Sequence, residues 1–288
     1  MSLVRSTSLA LAAFALCSTP VWADPFAFST GNVDGKLAST SRPSNSGETE
    51  TADDFVLTNT TRITSASFTG LLTGGATAAD ISQVVTGIYR VFPNDSNTAR
   101  TPNVPTRVNS PADVEFAGRD SVAAELSFSA TVLSPNFTAL NSVQAGGIHP
   151  KPNQTTGGNG PVTGIEVLIN VSFATSIDLS PDHYFFVPQV GVGRGEFLWL
   201  SAPKPIVAPG IPFTPDLQSW IRDAGLDPDW LRIGTDIVGG APAPTFNAAF
   251  SLAGETVSSV PEPASYALMM LGLAALGTAA RTRRLRAV

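Results

Sequence analysis

Apolar and polar residues alternate in short runs along most of the chain. The clearest is "GIEVLINVSF", where Ile165, Val167, Ile169, Val171 and Phe173 share one face of an extended segment. In "ITSASFTGLL" the alternation is weaker, with Ala66, Phe68 and Gly70 opposite Ser65, Ser67 and Thr69. "YFFVPQVGV" and "FLWLS" are nearly continuous apolar runs, the pattern of strands buried on both faces. These runs place strands at Asp54–Leu57, Ile63–Leu71, Val84–Phe92, Ala123–Leu133, Gly164–Phe173, His183–Val192, Phe197–Leu200 and Thr245–Leu252. Between them, "RVFPNDSNTARTPNVP" and "IHPKPNQTTGGNGPVTG" are loops, because proline and glycine exclude regular structure. "GVGRGEF", Gly191 to Phe197, lies between two strands and reads as a hairpin turn. Many short strands divided by turn signals predict an all-β fold, a two-sheet, jelly-roll-like sandwich. No fixed-period repeat argues for a solenoid.

One segment carries a helical period instead. In "FTPDLQSWIRDAG" Thr214 can cap the N-terminus, Pro215 fits the first turn and Asp216 complements the dipole. Leu217, Trp220, Ile221 and Ala224 form one apolar stripe, so a short helix is expected near residues 215–224, ended by Gly225. "DPDWL", Asp227 to Leu231, repeats the cap-then-proline grammar of a short turn.

The two ends differ from this body. At the start, Arg5 precedes an apolar stretch from Leu9 to Leu16, and Val21 and Ala23 supply small side chains before Asp24. This is the order of a secretory signal peptide, residues 1–23, cut by signal peptidase between Ala23 and Asp24. Cys17 follows Leu16 rather than a small residue, which argues against a lipoprotein signal. At the other end, Pro261-Glu262-Pro263 precedes an apolar stretch, residues 264–280, and then Arg281, Arg283, Arg284 and Arg286 in a basic tail, residues 281–288. As a helix the apolar stretch reaches about 25 Å, near the lower limit for a transmembrane span. The arginines act as a stop-transfer signal that keeps the C-terminus cytoplasmic and leaves the body, residues 24–259, outside.

The closing segment, residues 260–288, resembles the PEP-CTERM sorting signal of Gram-negative bacteria. The resemblance implies an exosortase-type processing protease as partner, a transient stay in the inner membrane, and delivery to the cell surface or an exopolysaccharide matrix. Its two prolines fix φ and hold the triplet extended, in reach of a protease. The same signature also carries the label of an ice-binding protein C-terminal domain. The body, through "ETETADDFVL", "DHYFFVPQV", "FLWLSAPKPI", "DLQSWIR" and "PDWLRIGTDIVGG", is similar to PEP-CTERM proteins of unknown function.

Charge and chemistry narrow the picture. Five of the 17 bases and one of the 23 acids lie in the two end segments, so the body is strongly acidic and unsuited to nucleic acid. With Cys17 removed it has no cysteine, hence neither disulfide nor thiolate chemistry. The G-x-S-x-G, H-E-x-x-H and P-loop motifs are absent, and His149 and His183 share no motif. "IVGG" at Ile237–Gly240 lacks any accompanying nucleophile motif. Glu48, Glu50, Asp53 and Asp54 are candidate calcium ligands by oxygen chemistry, at a spacing unlike an EF-hand. Otherwise no cofactor is expected. Trp199 and Trp230 are candidate sugar-stacking residues, whereas Trp220 sits on the apolar stripe. Thr49 and Thr51 form a lone Thr-x-Thr. The expectation is an exported, non-enzymatic surface or matrix protein. The alternatives are a carbohydrate-binding module of an extracellular polysaccharide and a secreted hydrolase with a carboxylate site.

Overall fold

The computed structural model describes residues 23–43, 47–99, 109–149, 155–203, 218–224, 230–257 and 270–274. In chain order its strands are β1 (Asp24–Ser29), β2 (Leu37–Thr40), β3 (Thr49–Leu57), β4 (Thr61–Thr73), β5 (Ile81–Arg90) and β6 (Ala117–Asp120). There follow β7 (Leu126–Ala139), β8 (Asn141–Val143), β9 (Val162–Leu179), β10 (Asp182–Val192) and β11 (Glu196–Ala202). The last are β12 (Trp220–Asp223), β13 (Leu231–Arg232), β14 (Asn247–Ala248) and β15 (Phe250–Thr256). Each of the eight expected strands overlaps one of these, and the alternation in β4 and β9 holds in space: Ala66, Phe68, Val167, Ile169 and Val171 are buried.

The fold is an all-β sandwich of two sheets. One, six-stranded, runs β13-β12-β3-β10-β5-β6. The other has nine strands: β9 lies between β7 and β4, and β4 continues to β15 and β1 along one stretch and to β11 and β2 along another. Between the sheets lies an aromatic core. Phe55 stacks on Tyr184 at 5.7 Å, Phe186 on Phe250 at 5.3 Å, and Trp199 meets Phe186 edge-on at 6.1 Å. Such offset and edge contacts suit the ring quadrupoles. Gly70 is required because a Cβ there would run into the Phe197 ring and the Leu198 carbonyl of the neighbouring strand. Asp24 pairs with Thr256, so the body begins and ends on adjacent strands, and Asp24–Val257 forms one compact unit.

Two expectations change. The described part of the expected helix is strand β12, paired to β3 through Trp220–Ala52 and Ile221–Thr51. Its alternate residues enter different apolar clusters, Trp220 with Phe185 and Trp230, Ile221 with Leu231 and Ile237. A stripe of both faces buried fits a strand as well as a helix, and the ladder on β3 decides between them. Thr214–Leu217 lie outside the described residues, as does most of "DPDWL", whose Leu231 opens β13. Finally, the "GVGRGEF" segment is not a hairpin turn. It joins β10 of one sheet to β11 of the other, with Gly195 at φ +69° tight against the Thr73 carbonyl. β10 has its hydrogen-bonding partners in β3 and β5, so β11 pairs instead with β4 and β2.

Residues 1–22 of the expected signal peptide lie outside the described residues, as do Pro261, Glu262, Pro263 and the four terminal arginines. Of the expected transmembrane segment, residues 270–274 are described and are helical. No described helix is long and apolar enough to cross a membrane.

Candidate functional site

The outward face of the nine-stranded sheet carries a groove built by strand register. Ser29, Ser251, Ser67, Asn170 and Ser129 are successive partners across β1, β15, β4, β9 and β7. A second row runs Ala27, Ala253, Ser65, Ser172, Ser127 across the same strands, and Thr69, Leu168 and Thr131 start a third. Four strand spacings make each full row about 19 Å long. Ser251 donates its hydroxyl to that of Ser29 at 2.9 Å, which confirms that neighbours in a row stand side by side. Bulges in β4, β15 and β7 bend the strands around this face. Two depressions result, of about 330 and about 300 Å³, which share Ser67 and Ser251 and so form one groove.

The β1–β2 loop, with Asn32 and Val33, and the half-exposed Leu133 of β7 wall the deeper depression. Its floor includes Glu166, 8% exposed, the one charged side chain lining it among the described residues. Burial holds the Glu166 carboxyl above the usual carboxylate range. Beyond the far end, Arg62 pairs with Asp178 at 2.9 Å and Glu255 at 3.2 Å, so those charges are mutually engaged. The groove therefore presents hydroxyls and two amides, Asn32 and Asn170, each able to donate and accept.

The outward face of the six-stranded sheet holds chemistry of a different kind. Glu50 on β3 accepts from Tyr89 at 2.7 Å and pairs with Arg222 of β12, whose guanidinium lies 4.5 Å over Trp230 and 5.4 Å over Tyr89. Glu115 rests its carboxyl on Gly87 and Gly118, and a Cβ at either would collide with it. Although much of Glu115 meets solvent, burial of its tip and then the charge of Glu50 push its pKa up to about 7. Asp54 meets His183 Nε2 at 2.7 Å, and burial brings the His183 pKa down to about 4, so the neutral imidazole donates to the carboxylate. Glu50 has both oxygens engaged beneath Trp230, which leaves it closed to a substrate.

These contacts separate the four candidate calcium ligands. Strand alternation puts Glu50 and Asp54 on the outward face and Asp53 on the inward one, where it accepts from Ser219 at 2.9 Å and from the Ala248 amide at 2.9 Å. Glu48 accepts from Gln189 at 3.2 Å. Among the described residues no group of three or more His, Cys, Asp or Glu is placed to hold a metal ion. The sugar-stacking reading of Trp199 and Trp230 is corrected as well, because they are 1% and 3% exposed. Trp199 lies between the sheets with its indole N–H on the Ala249 carbonyl, and Trp230 is tied to the Ala112 carbonyl. Thr49 and Thr51 are also buried. Ala23 and Asp24, the expected signal-peptidase site, stand immediately before and at the start of β1.

Glu166 and the serine rows were not anticipated. Their signal is the repeated S-x-S-x-T, Ser65-Ser67-Thr69 and Ser127-Ser129-Thr131, facing away from an apolar stripe. Residues 259–284 match the family model of the PEP-CTERM protein-sorting motif. No curated protein and no solved structure matches the chain. The chain thus carries the motif of exported proteins that exosortase, a membrane protease, processes.

Proposed function

We propose that the body is a non-enzymatic glycan-binding module of the extracellular matrix or cell surface. The observation that carries this reading is the hydroxyl-floored groove across five strands, centred on Ser67 and Ser251. Sugar hydroxyls need partners that both donate and accept at close spacing, and serine, threonine and asparagine rows supply them. The groove is open rather than enclosed, so an extended polymer fits it better than a small metabolite. No Lys or Arg lines it among the described residues, and the body is acidic, so a polyanionic chain is disfavoured. Modest affinity per site suffices in a matrix, where many copies engage one polymer. Export through the sorting motif delivers the module to such polymers.

The test is retention of the exported protein on immobilised polysaccharides, compared with a Ser67→Tyr variant. The bulky ring fills the groove centre without touching the core, since Ser67 faces outward. Retention of the natural protein with loss in the variant supports the reading. Equal retention of both places binding elsewhere.

A further inference from the structure

Among the described residues, Glu166 is the one buried acid whose carboxylate has no hydrogen-bond donor. It is 8% exposed on β9, its register partners are Leu71 and Ser134, and among the described residues no side chain or amide donates to it. Asp53, Asp54 and Glu50 of β3 and Asp236, the other buried acids among the described residues, each have a close donor. The oxygens of Glu166 keep some contact with solvent, and a carboxylate largely withdrawn from water with no donor from the protein is under-compensated, a cost that a ligand can relieve. Here the carboxylate opens into the deeper depression, beside Ser67, Thr69, Ser251, Ser29 and Asn32.

We propose that Glu166 is a specificity determinant that receives the protonated amine of an amino sugar, so that the groove prefers a glycan with free amino groups. This inference rests on the glycan-binding reading and deepens it. The hydroxyl rows already satisfy a neutral sugar, whether or not a carboxylate stands among them. Only a cation compensates the charge of Glu166, and among the described residues none lines the cavity. An ammonium beside a ring hydroxyl joins both chemistries of the site: charge-assisted bonding to the carboxylate and neutral bonding to the serines. No bond forms or breaks in this step. It is recognition alone.

The experiment titrates the exported protein with three oligosaccharides of equal length: a glucosamine oligomer, its N-acetylated counterpart and a glucose oligomer. The natural protein is expected to favour the free-amine oligomer by about tenfold, the scale of one charged hydrogen bond. Glu166→Gln should bind all three within about twofold of one another, because the neutral amide keeps the shape and removes the charge. The comparison among ligands needs no variant, so a folding defect in Glu166→Gln leaves it intact. Equal binding of the three oligomers by the natural protein overturns the inference while the glycan reading stands. A preference that survives in Glu166→Gln also overturns it. Binding of none of the three removes both. If oligolysine binds as tightly as the glucosamine oligomer, the site reads charge alone and the amino-sugar assignment fails.

Discussion

Asp53 of β3 accepts the backbone amide of Ala248 on β14 at 2.9 Å, a bond that joins the two sheets of the sandwich. The other carboxylate oxygen accepts from Ser219, just before β12, so one buried side chain holds three segments together. Asp53→Ala strands both donors in a fully buried position. The expected loss is about 3 kcal/mol or more, read as a lower denaturation midpoint in urea. A change below about 1 kcal/mol shows that the sheets are held by the apolar core alone.

On the outward face, Glu50 and Arg222 form a buried pair between Tyr89 and Trp230. Arg222→Met leaves the Glu50 charge without its cation and should cost about 3–5 kcal/mol. Glu50→Gln combined with Arg222→Met should cost clearly less than the two single changes added together. Additive losses in a double-mutant cycle show that the two side chains are not coupled.

The strands were legible because alternation has a period of two, and β4 and β9 bury the residues their patterns assign inward. β12 was not, since Trp220 and Ile221 are both buried, on opposite sides, and the polar Arg222 and Asp223 fall one on each face. Sheet membership was also hidden: nothing in "GVGRGEF" says that β11 leaves the sheet of β10. The groove needed long-range register, because Ser29, Ser67, Ser129 and Ser251 come from four distant strands. Taken singly, each serine reads as an ordinary solvent-facing residue. The acidic cluster misled for the opposite reason: near neighbours in sequence, Asp53 and Asp54 point to opposite faces of β3.

Stability should depend on pH through Glu115 and His183 in opposite senses. Glu115 has a folded pKa of about 7 against an ordinary 4.5, so the folded state keeps a proton that the unfolded chain releases. Its contribution to stability is present at low pH and lost as pH rises through about 7. Solvent access limits the effect to about 1 kcal/mol or less. His183, lowered to about 4 from 6.5, favours the fold above 6.5 and loses that contribution as pH falls toward 4. Glu115→Gln should therefore raise Tm above pH 7 and leave it nearly unchanged at pH 4.5, as thermal melts across this range will show. A lower Tm above pH 7 in the variant contradicts the assignment.

The sorting motif makes a cellular prediction. Replacing Pro261, Glu262 and Pro263 by alanine keeps the apolar stretch and the four arginines, so membrane insertion persists while exosortase loses its signal. Immunoblots of cell fractions should then find the full-length variant in the inner membrane and the processed natural protein outside it. If both remain full length in the inner membrane, the triplet plays no part in processing.

The central claim is that the serine-rowed face of the nine-stranded sheet is where the protein meets a glycan. Its most direct test is hydrogen exchange on the exported protein with and without a saturating glucosamine oligomer. The account predicts slowed exchange in the β1–β2 loop and in β7, β9 and β15 around Glu166, with the six-stranded sheet unchanged. Protection confined to the six-stranded sheet, or none at all under saturation, would contradict it.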